Sequence, residues 1–401
     1  MKLFKWQLVV AFLTVTVFSA NAQEITENTF GKGLVNVVAK DSSYSLKFAA
    51  RFQSLFTSDW DFPGNENIGN GESNFLIRRA RLKFEGFAYS PKLRYKMELG
   101  LSNRDISGAS VYTHDAPRYI LDAVIKWNFY ENFDLWVGQT KLPGNRERII
   151  SSGNMQTVDR SLVNSVFNVD REMGVQLHHS IDLGNDILIK ESVAFTQGEG
   201  RNVTRGNIGG HHFTARAEVY PFGDFKAYSG ADLEREQTPK LAIGAAYSHN
   251  GNAVKSESNS GSYMENDLGF YETDIETFFV DAMFKYKGFS AMAEYADRSA
   301  DAPIARNSDG TRTGDVVEVG NGFNMQAGYL FKNNYEVVGR YTTIDLDENI
   351  TGEGVHNQYT LGLSKYIVGH KLKVQTDVSW NDFSDNMDNS LMYRLQVDIH
   401  F

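Results

Sequence analysis

The chain has 401 residues, no cysteine and a formal net charge of −10. The lack of cysteine excludes disulfide staples, thiolate zinc sites and cysteine nucleophiles, and the acidic balance argues against nucleic acid as a partner, which needs a positive surface. The 27 Phe, 19 Tyr and 35 Gly beside only 7 Pro fit many strands that keep one face outside a conventional core.

The first residues have the pattern of a secretion signal. Lys2 and Lys5 give a positive start, Leu8 to Phe18 is an apolar run, and Ala20-Asn21-Ala22 is a small-residue cleavage site. Residues 1–22 are therefore expected to be a signal peptide, 23–43 a short N-terminal segment and 44–401 a single domain. No later run reaches the roughly 18 apolar residues of a membrane-spanning helix.

From Tyr44 onward the period is two. Leu46, Phe48, Ala50 and Phe52 share one face, opposite Lys47, Ala49, Arg51 and Gln53. Ala80, Leu82, Phe84 and Gly86 stand opposite Arg79, Arg81, Lys83 and Glu85; Leu93, Tyr95, Met97 and Leu99 stand opposite Arg94, Lys96 and Glu98. Tyr119, Leu121, Ala123, Ile125 and Trp127 share a face, and the pattern continues to Phe401. The count is about 16 strands of about 10 residues, the length that spans a bilayer when tilted. Short turns near 90, 131, 184, 287, 333 and 369 alternate with long polar connections, among them 223–239, 250–276, 297–320 and 345–355. This predicts an all-β fold, a transmembrane antiparallel β-barrel, whose closure removes edges that lipid cannot hydrogen-bond.

The connection 139–174, after the fifth strand, is longer than joining two neighbours requires, and loops of that length are functional or disordered. Its apolar residues, including Leu142, Ile150, Met155, Val163 and Phe167, predict that it packs against something. A barrel of about 16 strands is wide enough for an aqueous channel, so this loop is expected to fold inward as a constriction. Tyr89, Trp127, Phe129, Tyr130, Tyr220, Tyr286, Tyr366 and Trp380 are candidates for interfacial girdles.

Three stretches resemble the phosphate-selective porin O and P family of bacterial outer membranes: Leu76-Ile77-Arg78-Arg79-Ala80-Arg81-Leu82-Lys83-Phe84-Glu85-Gly86, Gly138-Gln139-Thr140-Lys141-Leu142-Pro143, and Arg160-Ser161-Leu162-Val163-Asn164 with Arg171-Glu172-Met173-Gly174-Val175. The terminal Phe401 resembles the assembly signal of such barrels. The resemblance implies a 16-stranded homotrimeric porin whose long loop folds inward, with arginines and lysines guiding phosphate.

Lipid penalises an outward charge by roughly 2 to 4 kcal/mol at mid-bilayer, so strand charges are read as inward. The candidate channel-lining residues are Lys47, Arg51, Arg79, Arg81, Lys83, Arg94, Lys96, Lys371, Lys373 and Arg394, against Glu85, Glu98, Asp377 and Asp398. They predict a basic wall suited to anions such as phosphate. The constriction loop is nearly balanced: Lys141, Arg146, Arg148, Arg160 and Arg171 face Glu147, Asp159, Asp170 and Glu172, whereas a dedicated phosphate filter would be more lopsided. Arg78 falls on the apolar face and is expected at the membrane interface or against a neighbouring subunit. Acidic loop residues such as Asp59, Asp61, Glu66, Asp345, Asp347 and Glu348 are candidates for binding divalent ions together with lipopolysaccharide, but they lack a calcium-loop spacing and read as solvated loop charge. His178-His179 and His211-His212 are adjacent pairs on opposite strand faces, unsuited to a metal site, and no enzyme motif or cofactor fingerprint is present. The expected function is passive diffusion of small anionic solutes through a homotrimer set in outer-membrane lipid. The alternative is a structural or adhesive barrel acting through its surface loops.

Overall fold

The computed structural model describes residues 24–25, 29–65, 68–69, 71–204, 208–384 and 387–401. The expected signal at 1–22 and the acidic Glu66 lie outside the described residues.

Sixteen antiparallel strands form the barrel. The first eight are β1 (Ser45–Phe62), β2 (Gly71–Ala88), β3 (Ser90–Gly100), β4 (Ile120–Tyr130), β5 (Phe133–Lys141), β6 (Arg171–Asp182), β7 (Leu188–Thr196) and β8 (His212–Tyr220). The second eight are β9 (Lys240–Ala253), β10 (Thr273–Tyr286), β11 (Phe289–Ala300), β12 (Gly320–Leu330), β13 (Tyr335–Leu346), β14 (His356–Val368), β15 (Leu372–Phe383) and β16 (Asn389–His400). Each pairs with the next, and β16 returns to β1 from Asn389↔Phe62 to His400↔Arg51. Below that seam Val35–Val38 pairs with Ser45–Phe48, and the Phe401 amide donates to the Ala50 carbonyl at 2.9 Å.

Strand alternation produces the inside and the outside. In β13, Glu336, Val338, Arg340 and Thr342 are buried in the lumen, while Val337 is exposed on the outer surface. Two bulges break this rule. Pairing passes from Gln53↔Arg79 to Ser54↔Ile77, which leaves Arg78 as an extra residue on β2, so Arg78 and Arg79 both turn inward. The expected interfacial place of Arg78 is thereby corrected. Likewise the step from Glu98↔Asp122 to Leu99↔Ile120 leaves Leu121 unpaired on β4, and both Leu121 and Asp122 are buried.

The turns between β2 and β3, β4 and β5, β6 and β7, β10 and β11, β12 and β13, and β14 and β15 are short and share one end of the barrel. The connection 221–239 belongs to that same end, although its length groups it with the long loops in the sequence. It folds into the lumen, where Lys285 Nζ donates to the carbonyls of Lys226 (2.8 Å) and Ala231 (3.0 Å). Two expected girdle aromatics also point inward: Tyr220 and Tyr366 are fully buried, with hydroxyls on Glu218 (3.4 Å) and Glu336 (2.5 Å).

Gly138 has φ of +128°, and a Cβ there would lie 2.2 Å from the Ala123 carbonyl oxygen. Gly138→Val is expected to cost about 1–3 kcal/mol of strain and to lower the temperature at which the barrel loses its folded mobility in detergent gels.

Candidate functional site

The connection 142–170 crosses the lumen and is pinned to one half of its wall. Arg146, fully buried, donates to Glu218 of β8 at 2.5 Å and to Asp281 of β10 at 2.6 Å. The Asn145 side chain and the Glu147 amide both donate to Glu294 of β11, at 2.9 and 3.0 Å. Further along, Gln156 reaches Ser290 and Glu336, and the Val158 amide donates to Asp377. A short helix, Leu162–Phe167, starts at Ser161, whose Oγ accepts from the Asn164 amide. Its Val163 and Phe167 bury completely against Phe279, Ala296, Ile344 and Leu346. The segment 221–239 backs this arrangement from the other end: the Gly230 amide donates to the Asn154 carbonyl at 2.8 Å, and Phe225 and Tyr228 pack on Ile150 and Met155.

Because the loop leans on β8 to β16, the open passage is left along β2 to β7. It is a cavity of about 830 Å³, lined by thirteen arginines and lysines and eight carboxylates. Many of the cations are matched. Asp159 takes Arg78 at 2.5 Å and Arg79 at 3.2 Å; burial alone would raise its carboxyl, but the two guanidiniums hold it well below the usual carboxylate range. Arg81 meets Glu98 and Asp105, Lys96 meets Glu98 and Asp122, and Arg171 and Arg148 meet Asp170.

Other cations are held by uncharged oxygens. Arg160 donates to the carbonyls of Glu147 (2.9 Å) and Ile150 (2.7 Å), Lys141 to those of Arg148, Ile149 and Ile150, and Arg201 to those of Arg118 and Asp105. Arg104 is exposed on the passage.

The other sequence-predicted residues fall in two groups. Lys47 and Lys83 share Glu85 near the short-turn end, Arg94 pairs with Asp134, Arg394 pairs with Asp377 and lines the passage, and Lys371 lies 3.4 Å from His400. Arg51 and Lys373 are corrected: both face inward but lie beneath the loop. Arg51 bonds Asp398 and Ser152, and Lys373 donates to the Met155 carbonyl at 2.9 Å. Neither lines the passage. Arg146, named among the constriction-loop residues, is that loop's anchor to the wall.

Arg104, Arg201, Asp105 and Asp122 were not among the sequence candidates. The first three sit on connections, where alternation gives no direction, whereas Asp122 stands opposite Leu121 and Ala123 and was legible as an inward carboxylate of β4. Among the described residues no group of three metal-ligating side chains is gathered; His178 bonds Gln176 and His179 stacks on Phe133.

Residues 48–399 match the model of the family phosphate-selective porin O and P. The chain belongs to that family. An uncharacterized protein of Aquifex aeolicus is 22% identical over 398 residues, covering 92% of this chain and 90% of its own. Among solved structures, an anion-selective porin from Comamonas acidovorans superposes with a TM-score of 0.52 at 10% identity, covering 89% of this chain and 100% of that one. OmpT of Vibrio cholerae in its trimer form gives 0.51 at 9% identity, covering 90% and 100%. At these identities the likeness is one of fold. This porin is therefore an outer-membrane channel, a 16-stranded barrel rather than an enzyme scaffold.

Replacing Arg146 by Met leaves Glu218 and Asp281 with Arg216 as their cation. Breaking a buried ion pair costs about 3 kcal/mol or more. The loop of this variant is expected to become cleavable by added protease while the barrel stays intact, and single-channel recordings should show larger, noisier currents.

Proposed function

We propose that this porin is a passive, water-filled channel favouring small anions, phosphate among them, and that it works as a homotrimer exported through the signal at 1–22. One observation carries the reading: the passage holds thirteen cationic side chains against eight carboxylates, in a chain whose overall charge is −10. Acid elsewhere in the molecule does not cancel this field, because exposed charges more than a Debye length away are largely screened. Guanidiniums held by carbonyls remain fully charged, and their fork suits phosphate oxygens. The family description and the name of the Comamonas porin point the same way.

Mobility should survive selectivity. Arg78, Arg79, Arg81 and Arg171 each have a carboxylate within hydrogen-bond reach, so an arriving anion competes with a partner already in place. Such exchange weakens each binding step and lets the ion move on.

The test is the zero-current potential across a planar bilayer under a KCl gradient, where chloride preference is expected. A charge about 8 Å from the ion path in a water-like dielectric is worth about 0.5 kcal/mol, roughly twofold in ion preference. Arg104→Gln and Arg201→Gln should each lower the chloride-to-potassium ratio by about that factor, and added phosphate should reduce the chloride current. Cation preference would overturn the anion reading. Correctly folded protein without any conductance would favour the adhesive barrel.

A further inference from the structure

Two buried polar side chains at the upper ends of β5 and β6 stay off the passage and yet reach a residue that lines it. Glu172, fully buried, stands opposite Thr140 across the β5–β6 pair. Gln139, also buried, comes one residue before Thr140. Both bind the connection between β7 and β8, which carries Arg201.

The Glu172 carboxylate accepts from the amides of Gly200 at 2.8 Å and Gly198 at 3.3 Å. It also accepts from the Thr196 hydroxyl and lies 3.2 Å from His212 Nδ1. Ser248 braces that imidazole from the other side, 2.6 Å from Nε2. On the far side of Arg201, the Gln139 side-chain oxygen accepts from the Asn202 amide at 2.7 Å. The nitrogen of the same group donates to the Ile120 carbonyl at 2.9 Å. Arg201 therefore sits between two clamps.

The clamped turn has little freedom to settle elsewhere. Gly198 and Gly200 have φ of +106° and +86°, and a Cβ on Gly200 would lie 2.5 Å from the Asn259 carbonyl oxygen. Asn250 and Lys255 hold the carbonyls of Gly198 and Glu199 at 2.9 and 2.8 Å. From this turn the Arg201 guanidinium extends to the carbonyls of Asp105 at 2.7 Å and Arg118 at 3.1 Å, at the edge of the passage it lines. Side chains rather than strand neighbours fix the amides of Gly198, Gly200 and Asn202, so the place of the guanidinium depends on them.

We infer that Glu172 and Gln139 are positioning residues for ion preference, acting by fixing Arg201 over the passage. The inference rests on the anion reading above and adds the two residues behind one of its cations. It reverses the sign expected from charge alone. By Coulomb's law, neutralising an acid near the passage strengthens its attraction for anions. Acting through Arg201, the loss of Glu172 weakens that attraction instead. Glutamine offers one acceptor oxygen where glutamate offers two, so the amide of Gly198 or of Gly200 then faces an NH2 group and loses its partner.

The zero-current potential under a KCl gradient is compared for the unsubstituted porin, Glu172→Gln, Gln139→Leu, Arg201→Gln and the two double variants that include Arg201→Gln. Gln139→Leu changes no charge, and it decides the matter if Glu172→Gln does not fold. Each single variant is expected to lower the chloride-to-potassium ratio, by up to the roughly twofold expected for Arg201→Gln. In the Arg201→Gln background neither substitution should lower it further, because coupled sites are not additive. A raised or unchanged ratio in a folded single variant overturns the inference and leaves the anion reading standing. A loss that persists in full without Arg201 does the same. Cation preference in the unsubstituted porin overturns both. Hydrogen exchange reports the clamp directly: the Gly198 and Gly200 amides should exchange faster in Glu172→Gln than in the unsubstituted protein, and equal rates would also overturn the inference.

Discussion

Arg146 decides the shape of the lumen. Its guanidinium joins Glu218 and Asp281, which sit on different strands of the same wall. With Asn145 and Glu147 tied to Glu294, the start of the loop is committed to one side of the barrel. A charge taken so completely out of water requires partners in nearly ideal placement, and the wall provides them. What remains for solutes is whatever the loop does not cover.

That division gives the charged residues two different tasks. On the covered side, arginines and lysines are structural: Arg51 and Lys373 hold loop oxygens and meet no solvent path. On the open side, similar residues keep part of their field. The difference is not one of residue type but of what lies above each side chain, and carbonyl partners matter as much as carboxylates. An arginine bound to a carboxylate contributes little net charge at a distance, whereas Arg160, bound to two carbonyls, contributes its whole charge.

Much of the fold was legible because strand alternation in a barrel is enforced twice, by lipid outside and by water or polar packing inside. Glu336, Arg340 and Thr342 against Val337 show how directly the pattern converts into two faces. The site was less legible for definite reasons. Alternation orients Lys373 but does not say that Met155 will lie over it. Arg78 on the apolar face of the alternation is a sign of irregularity, but residue types alone do not say where an extra residue sits; the step from Gln53↔Arg79 to Ser54↔Ile77 places it. Connection length assigned 221–239 to the wrong end, because counting turns requires every strand boundary to be placed first. Arg104 and Arg201 belong to connections, where no periodicity exists to read.

The inward segments also constrain how the molecule is assembled. One enters from each end of the barrel, and they meet where the Gly230 amide finds the Asn154 carbonyl. The seam between β16 and β1 is bound into the same arrangement, since Arg51 holds Asp398 across it and Ser152 of the loop beneath it. A cylinder that had already shut would have to admit two polar segments through its mouths and dehydrate them there. The more economical order is for the interior to be furnished while the sheet is still open, with the C-terminal strand closing last over finished contents. The last-made strand would then act as the check on everything placed before it.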